Sequence, residues 1–318
     1  MKRGFAMRKR YLAGVMILLL AVFAAGCGTK ESAGGSSASS KKITVKHELG
    51  TTKVPENPKK VVVFDFGVLD SMDKLGIKVT GVPQDNLPPY LKKYKSSKYE
   101  NVGGLMEPDF DKISEIHPDL IIISGRQQDN YNEFKKIAPT VYMGLDTTKY
   151  MDSFKQNMKT LGKIFNKENA VKKQLADIDD SINSLHAKAE KVNGKALIVL
   201  TTGGKVSAFG PGSRFGLIHD VFGVPAADKN IKASIHGQNV SFEYIMKTNP
   251  DYLFVIDRDA AIGQGGNAKS IIENDLVKKT NAYKNKHIVY LDPGYWYLSG
   301  GGLVSVSEMV KEVRNAID

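Results

Sequence analysis

The 318-residue sequence predicts an α/β fold: two similar lobes, each with a central, mainly parallel sheet, joined by one long helical backbone with a cleft between them. Three observations predict it. Short all-apolar runs alternate with helical segments at both ends of the chain. Between them, about forty residues carry helical periodicity alone. One segment also occurs twice, at a constant offset.

The elements follow in order. Residues 43–55 (ITVKHELGTTKVP) alternate apolar and polar and are broken by a glycine, as in a small hairpin. The run VVVF at 61–64 reads as a buried parallel strand, and residues 68–75 read as a helix. A short helix at 109–116 leads into a second apolar strand at 120–123, and a third strand spans 140–143. Met151, Phe154, Met158, Leu161 and Phe165 then fall at steps of three and four. After Asn166-Lys167 a second stripe runs through Val171, Leu175, Ile178, Ile182, Leu185, Ala189 and Val192. These are amphipathic helices with one apolar face, stopped by Asn193-Gly194. Strands resume at 196–200, 206–209, 253–256 and 288–291, and a helix over 304–317 closes the chain.

The repeat pairs PDFDKISEIHPDLIIISGR at 108–126 with VSFEYIMKTNPDYLFVIDR at 240–258. The offset of 132 matches Phe110 with Phe242, Asp111 with Glu243, Pro118 with Pro250, Asp119 with Asp251 and Arg126 with Arg258. A body of two related lobes leaves a cleft at their junction, where small molecules bind.

Residues 1–26 form a separate segment, with a basic start (Lys2, Arg3, Arg8, Lys9, Arg10) and an apolar run ending in Ala24-Ala25-Gly26. This is the layout of a secretory signal peptide. Cys27 follows directly and is the only cysteine, so no internal disulfide can form. Residues 27–42 continue as a Gly/Ser-rich flexible tether. The 45 Lys+Arg less the five in residues 1–26 leave 40 against 34 acidic residues, a modest +6. Basic residues are scattered without aromatic interleaving, which argues against nucleic acid as a partner.

Only four of the basic residues beyond position 26 are arginines: Arg126, Arg214, Arg258 and Arg314. Arg314 lies in the closing helix. The other three follow strands, at the ligand-binding edge of an open α/β sheet. Arg126 and Arg258 hold equivalent repeat positions, and Arg214 sits in the turn GPGSRFG at 210–216. A guanidinium fork matches carboxylate or catecholate oxygens and stays charged when desolvated. Three converging forks point to a polyanionic ligand, with separate structural ion pairs as the alternative. The aromatic run Tyr295, Trp296, Tyr297, which holds the only Trp, could stack on such a ligand or pack between helix and sheet. His236, in a polar loop, and Tyr297 are candidates for direct contact with Fe(III), which favours phenolate oxygen and accepts imidazole. No clustered histidine motif, nucleophile elbow or P-loop is present, so neither a zinc site nor an enzyme is expected.

Taken together, the segment ending at Cys27, GPGSRFG, VSFEYIMKTNPDYLFVIDR and GYWYLSGGG resemble the iron-siderophore-binding lipoproteins of the helical-backbone periplasmic binding protein class, especially petrobactin and catecholate-siderophore binders. The resemblance implies signal cleavage and lipidation at Cys27, and an N-terminal lobe (43–148), connecting helices (149–193) and a C-terminal lobe (194–318). It implies a monomer on the outer face of the bacterial cell membrane, with no intrinsic cofactor and a ferric siderophore as ligand. Arg126, Arg214 and Arg258 would line the pocket, with Tyr297 and His236 near the metal. Partners would be an ABC permease and its ATPase, docked through Asp111 and Glu243, with Glu107 in reserve; otherwise these acids serve only their helix N-termini. Another iron chelate, haem or cobalamin remains an alternative ligand, and a membrane-anchored hydrolase of a polyanionic substrate an alternative class.

Overall fold

The computed structural model describes residues 41–317. The expected signal segment, Cys27 and nearly all of the expected tether lie outside the described residues. The first hairpin pairs β1 (Lys42–His47) with β2 (Gly50–Pro55), so Lys42, expected at the end of the tether, is already in a strand. Ile43, Val45 and Val54 are buried while Thr44 and Lys53 face water, which is the two-residue alternation of a half-buried ribbon.

Two five-stranded sheets follow. The first holds β3 (Val61–Val63), β4 (Gly81–Val82), β5 (Glu100–Asn101), β6 (Leu120–Ile123) and β7 (Thr140–Tyr142), in the order β5-β4-β3-β6-β7 and parallel throughout. The second holds β8 (Ala196–Thr202), β9 (Lys205–Phe209), β10 (Gln238–Val240), β11 (Tyr252–Asp257) and β12 (Ile288–Leu291), in the order β10-β9-β8-β11-β12. Here β8, β11 and β12 are parallel, and β9 turns back antiparallel through Gly203 and Gly204, both at positive φ. Strands β4, β5 and β10 were not legible in the sequence, being two or three residues long and polar or glycine-bearing.

The repeated segment performs the same structural work twice. Its helices, Phe110–Ile116 and Phe242–Thr248, are capped by Asp109 and Ser241 and end on left-handed residues, His117 and Asn249. Pro118 and Pro250 then exclude further helix. The Asp119 carboxylate accepts from the backbone N–H of Lys59 and Lys60, and Asp251 accepts from that of Lys195. Each aspartate thus pins the start of its strand to the neighbouring one.

The connector comprises two helices, Tyr150–Phe165 and Glu168–Ala189, separated where Asn166 adopts the left-handed conformation. Their apolar faces enter a core that also takes Val61, Val63, Leu120 and Ile122 from one sheet and Ala196, Ile198, Phe254 and Ile256 from the other. The alternate residues of the same strands face outer cores: Val62, Ile121 and Ile123 on one side, and Leu197, Leu253 and Val255 on the other. Burial on both faces explains the unbroken apolar runs.

Candidate functional site

The three strand-following arginines converge on one tyrosine. Arg126 lies in the turn Gly125–Asn130 after β6, braced by a bond from the Ser124 N–H to Gln127 Oε1 at 3.1 Å. Arg214 stands in the 210–216 turn after β9, where Gly212 has φ +71° and donates its N–H to Asp220 Oδ2 at 2.6 Å. A Cβ on Gly216 would sit 2.8 Å from the Gly210 carbonyl oxygen, so the turn closes tightly only with glycine there. Arg258 opens the helix Arg258–Ala261 after β11, which Asp257 caps.

Their common target follows β12 in a six-residue π-helix, Gly294–Ser299. A helix end leaves carbonyls without intrahelical partners, and here the arginines fill that need. Arg126 Nη2 and Arg214 Nη2 both donate to the Tyr297 carbonyl at 2.7 Å, and Arg126 Nη1 donates to the Leu298 carbonyl at 3.4 Å. Arg258 Nε donates to the Tyr297 phenol oxygen at 3.0 Å, and its Nη1 donates to Thr202 Oγ1 at 3.2 Å. Measured to the Tyr297 ring centroid, the guanidinium carbons of Arg214, Arg126 and Arg258 lie at 4.3, 5.9 and 6.0 Å.

The site is strongly positive. Asp259 lies 3.8 Å from Arg258, but Arg126 and Arg214 form no ion pair among the described residues. Burial, then repulsion from Arg126, pushes the Arg214 guanidinium down to about 10, so it remains charged at neutral pH. Burial raises the Tyr297 phenol, but Arg214, Arg258 and Arg126 together outweigh it and hold the group below the usual phenol range. Each guanidinium carries more N–H donors than these bonds use. The arrangement can therefore receive anionic oxygens, with a phenol oxygen at its centre.

The remaining sequence-predicted residues are placed as follows. Trp296 is 2% exposed, packs in the shared core and donates its indole N–H to Glu312 Oε2 at 2.6 Å. Of its two readings the structure gives it packing: its indole is buried in the core, and the arginines meet its neighbour Tyr297. Tyr295 is partly buried, its ring 4.7 Å from that of Tyr90. His236 is exposed, and its ring makes no hydrogen bond among the described residues. Its backbone N–H donates to Ser234 Oγ, and the Ser234 carbonyl accepts from the Arg214 N–H, so the loop adjoins the cluster. Asp111 and Glu243 occupy first turns of the two equivalent helices, exposed like Glu107. The Ser241 hydroxyl holds the Glu243 carboxyl below its ordinary range.

Sequence reasoning missed Thr202, which orients Arg258 and is itself bonded to Asp259 Oδ1 at 3.2 Å. It also missed the Tyr297 and Leu298 carbonyls, since a backbone acceptor leaves no mark in residue type. Two cross-lobe ties escaped it as well. Thr147 Oγ1 donates to the Gly212 carbonyl at 3.0 Å, and the Tyr90 hydroxyl oxygen accepts from Ser299 Oγ at 2.6 Å. A cavity of about 170 Å³ beside the first hairpin contains none of the arginines.

Comparison with known proteins identifies the family. A periplasmic binding protein family model matches residues 61–295. The petrobactin-binding protein YclQ of Bacillus subtilis is 57% identical over 315 residues, spanning 98% of this chain and 99% of its own. Its crystal structure superposes with a TM-score of 0.86 at 60% identity, covering 87% of this chain and 99% of that one. The catecholate-siderophore-binding protein VctP of Vibrio cholerae superposes with a TM-score of 0.82 at 39% identity, over 86% of this chain and all of its own (100%). In fold, in its two sheets on a helical connector and in sequence along most of its length, this chain belongs to the periplasmic binding protein family.

Proposed function

We propose that this chain is the substrate-binding subunit of an ABC importer, capturing an anionic ferric siderophore of the catecholate or mixed citrate–catecholate, petrobactin-like kind. The observation that carries the reading is the convergence of Arg126, Arg214 and Arg258 on Tyr297, with Arg126 and Arg214 in no close ion pair among the described residues. Charge-assisted bonds from these forks to chelate oxygens supply both affinity and selection for negative charge. The names of the relatives, petrobactin-binding and catecholate-siderophore-binding, support the same ligand class.

Under this reading Tyr297 is the central ligand-binding residue, and its depressed phenol makes it the oxygen best suited to an open coordination position on the iron. His236, on the loop that adjoins the cluster, is the second candidate donor. Asp111 and Glu243, one on each repeat, are the docking acids for the permease, with Glu107 beside the first. Lipidation at Cys27 and the tether would hold the body at the outer face of the membrane; no helix among the described residues is long and apolar enough to cross one. The divisions 43–148, 149–193 and 194–318 are then the two lobes and their connector.

Titration of the purified protein with ferric petrobactin, ferric enterobactin and ferric hydroxamates, followed by tryptophan fluorescence, tests the reading. Tight binding of the anionic catecholates supports it. Binding of uncharged hydroxamates alone would refute the anion clamp.

A further inference from the structure

Three large hydrophobic side chains are exposed among the described residues: Met106 at 70%, Ile235 at 58% and Tyr290 at 39%. Tyr290 has a polar reason, since its hydroxyl donates to Glu273 Oε1 at 3.0 Å. The other two stand on rigid turns fastened to the arginine-bearing segments, one in each half of the repeat architecture.

Met106 tips the turn at 103–108. Gly103 has φ +90° and pairs with Pro108, and the Gly104 N–H bonds the Glu107 carbonyl at 3.0 Å. This closure buries Leu105 and forces Met106 outward. The turn is bound to the Arg126 segment by a buried hydrogen bond from Gln127 Nε2 to the Leu105 carbonyl at 2.7 Å. Ile235 tips the turn at 234–237 in the same manner. The Ser234 carbonyl accepts from the Arg214 N–H at 3.2 Å, the Ser234 N–H bonds Ser213 Oγ at 3.3 Å, and Gly237 has φ +76°.

Isolated exposed apolar residues are ordinary on a surface. Two held out by fixed turns, each one residue from a bond to an arginine-bearing segment, are a different observation. Arginine forks bind the oxygens of an anionic chelate but leave its rings and aliphatic spacers in water. Apolar side chains on both rims would cover them, at low ordering cost because the turns are already fixed. Methionine, unbranched and polarizable, also suits an aromatic edge.

We propose that Met106 and Ile235 are specificity-determining ligand contacts, one on each rim of the arginine cluster, that cover the apolar organic portion of the bound anionic iron chelate. This inference rests on the functional reading above.

The test compares the protein with Met106→Ser, Ile235→Ser, the double variant and Met106→Leu, titrating ferric petrobactin at several salt concentrations. Each serine variant is expected to bind about tenfold more weakly and the double variant about a hundredfold. Met106→Leu, which keeps an apolar side chain of similar size, should lose far less affinity than Met106→Ser. The salt dependence should not change, because no charge is removed. Unchanged affinity in the double variant overturns the inference. If iron uptake falls in such a variant, the two side chains instead face a membrane partner. An altered salt dependence also overturns it, by showing that the arginines were disturbed. Failure of the parent protein to bind the chelate would instead sink the functional reading, and the inference with it.

Discussion

Guanidiniums gathered around a single tyrosine repel one another, and after burial the repulsion from Arg126 and Arg258 helps to lower the Arg214 pKa. Hydrogen bonds to the Tyr297 and Leu298 carbonyls hold Arg126 and Arg214 there without neutralising them, and the Tyr297 phenol oxygen holds Arg258. Arg126→Ala, Arg214→Ala and Arg258→Ala are each expected to weaken binding of an anionic ferric siderophore by about 2–4 kcal/mol, roughly 30- to 1,000-fold. The melting temperature should hold or rise, as repulsion is relieved. Calorimetric titration beside thermal unfolding checks both halves, and a variant that lost stability and affinity together would mark that arginine as structural. Tyr297 makes a pH-dependent prediction. Its phenol lies below the usual value of about 10, so its extra stability is present above that value and is lost as pH falls through the folded pKa. If the phenolate takes a position on the iron, binding releases its proton and affinity rises with pH up to that same folded pKa. Tyr297→Phe should remove this rise, and comparing the two proteins cancels the titration of the chelator itself. An affinity that instead fell with pH more steeply in the parent would make Tyr297 a competitor for the arginines.

At the level of elements, the closing helix Leu303–Ala316 begins against the first helix of the body, Phe66–Lys74, through a buried carboxylate. Asp70 Oδ1 accepts from the Val304 N–H at 3.1 Å, and Oδ2 accepts from the Ser305 N–H at 3.0 Å and the Tyr90 hydroxyl at 3.1 Å. It thereby caps a helix more than two hundred residues away in sequence. The glycine run before that helix has its reason here. A Cβ on Gly302 would collide with the Asp70 carboxylate and the Gly67 carbonyl, and one on Gly67 would lie 2.8 Å from Ser299 O. Asp70→Ala leaves these donors without an acceptor and is expected to cost about 2–4 kcal/mol in urea unfolding. Burial pushes the Asp70 carboxyl up to about 7 against these donors. Since the folded pKa exceeds the unfolded one, the native state holds the proton longer. Its contribution is full below about pH 4 and is lost as pH rises through about 7. Asp70→Ala should flatten that slope; an identical slope in parent and variant would refute the assignment.

For the whole molecule, the connector is part of the core. Phe154, Met158, Leu175 and Ile182 share one cluster with the inner faces of both sheets. The two halves should therefore unfold together, with coincident midpoints by Trp296 fluorescence and far-ultraviolet circular dichroism. Met158→Ala, in the connector, should lower both midpoints alike, at a stability cost of about 2–4 kcal/mol. Separated midpoints would show that the halves are independent. The main strands and helices of this body were legible because periodicity reports burial directly: LIII at 120–123 is buried on both faces, and the steps of three and four over 151–192 each turn one face to the core. The arginines were legible because arginine is rare in this chain and two of its members recur in a repeat.

Sequence by itself determined the α/β class, the repeat, the helical connector and the residue types able to bind an anion, since each depends on local pattern or on the chemistry of a side chain. Tertiary structure decided which of these meet. It turned Trp296 into the core and Tyr297 toward the arginines, made backbone carbonyls the arginines' partners, and set Asp70 against the closing helix. Contacts between residues up to 235 apart in the chain come from packing the two halves on one core, and no local periodicity encodes them.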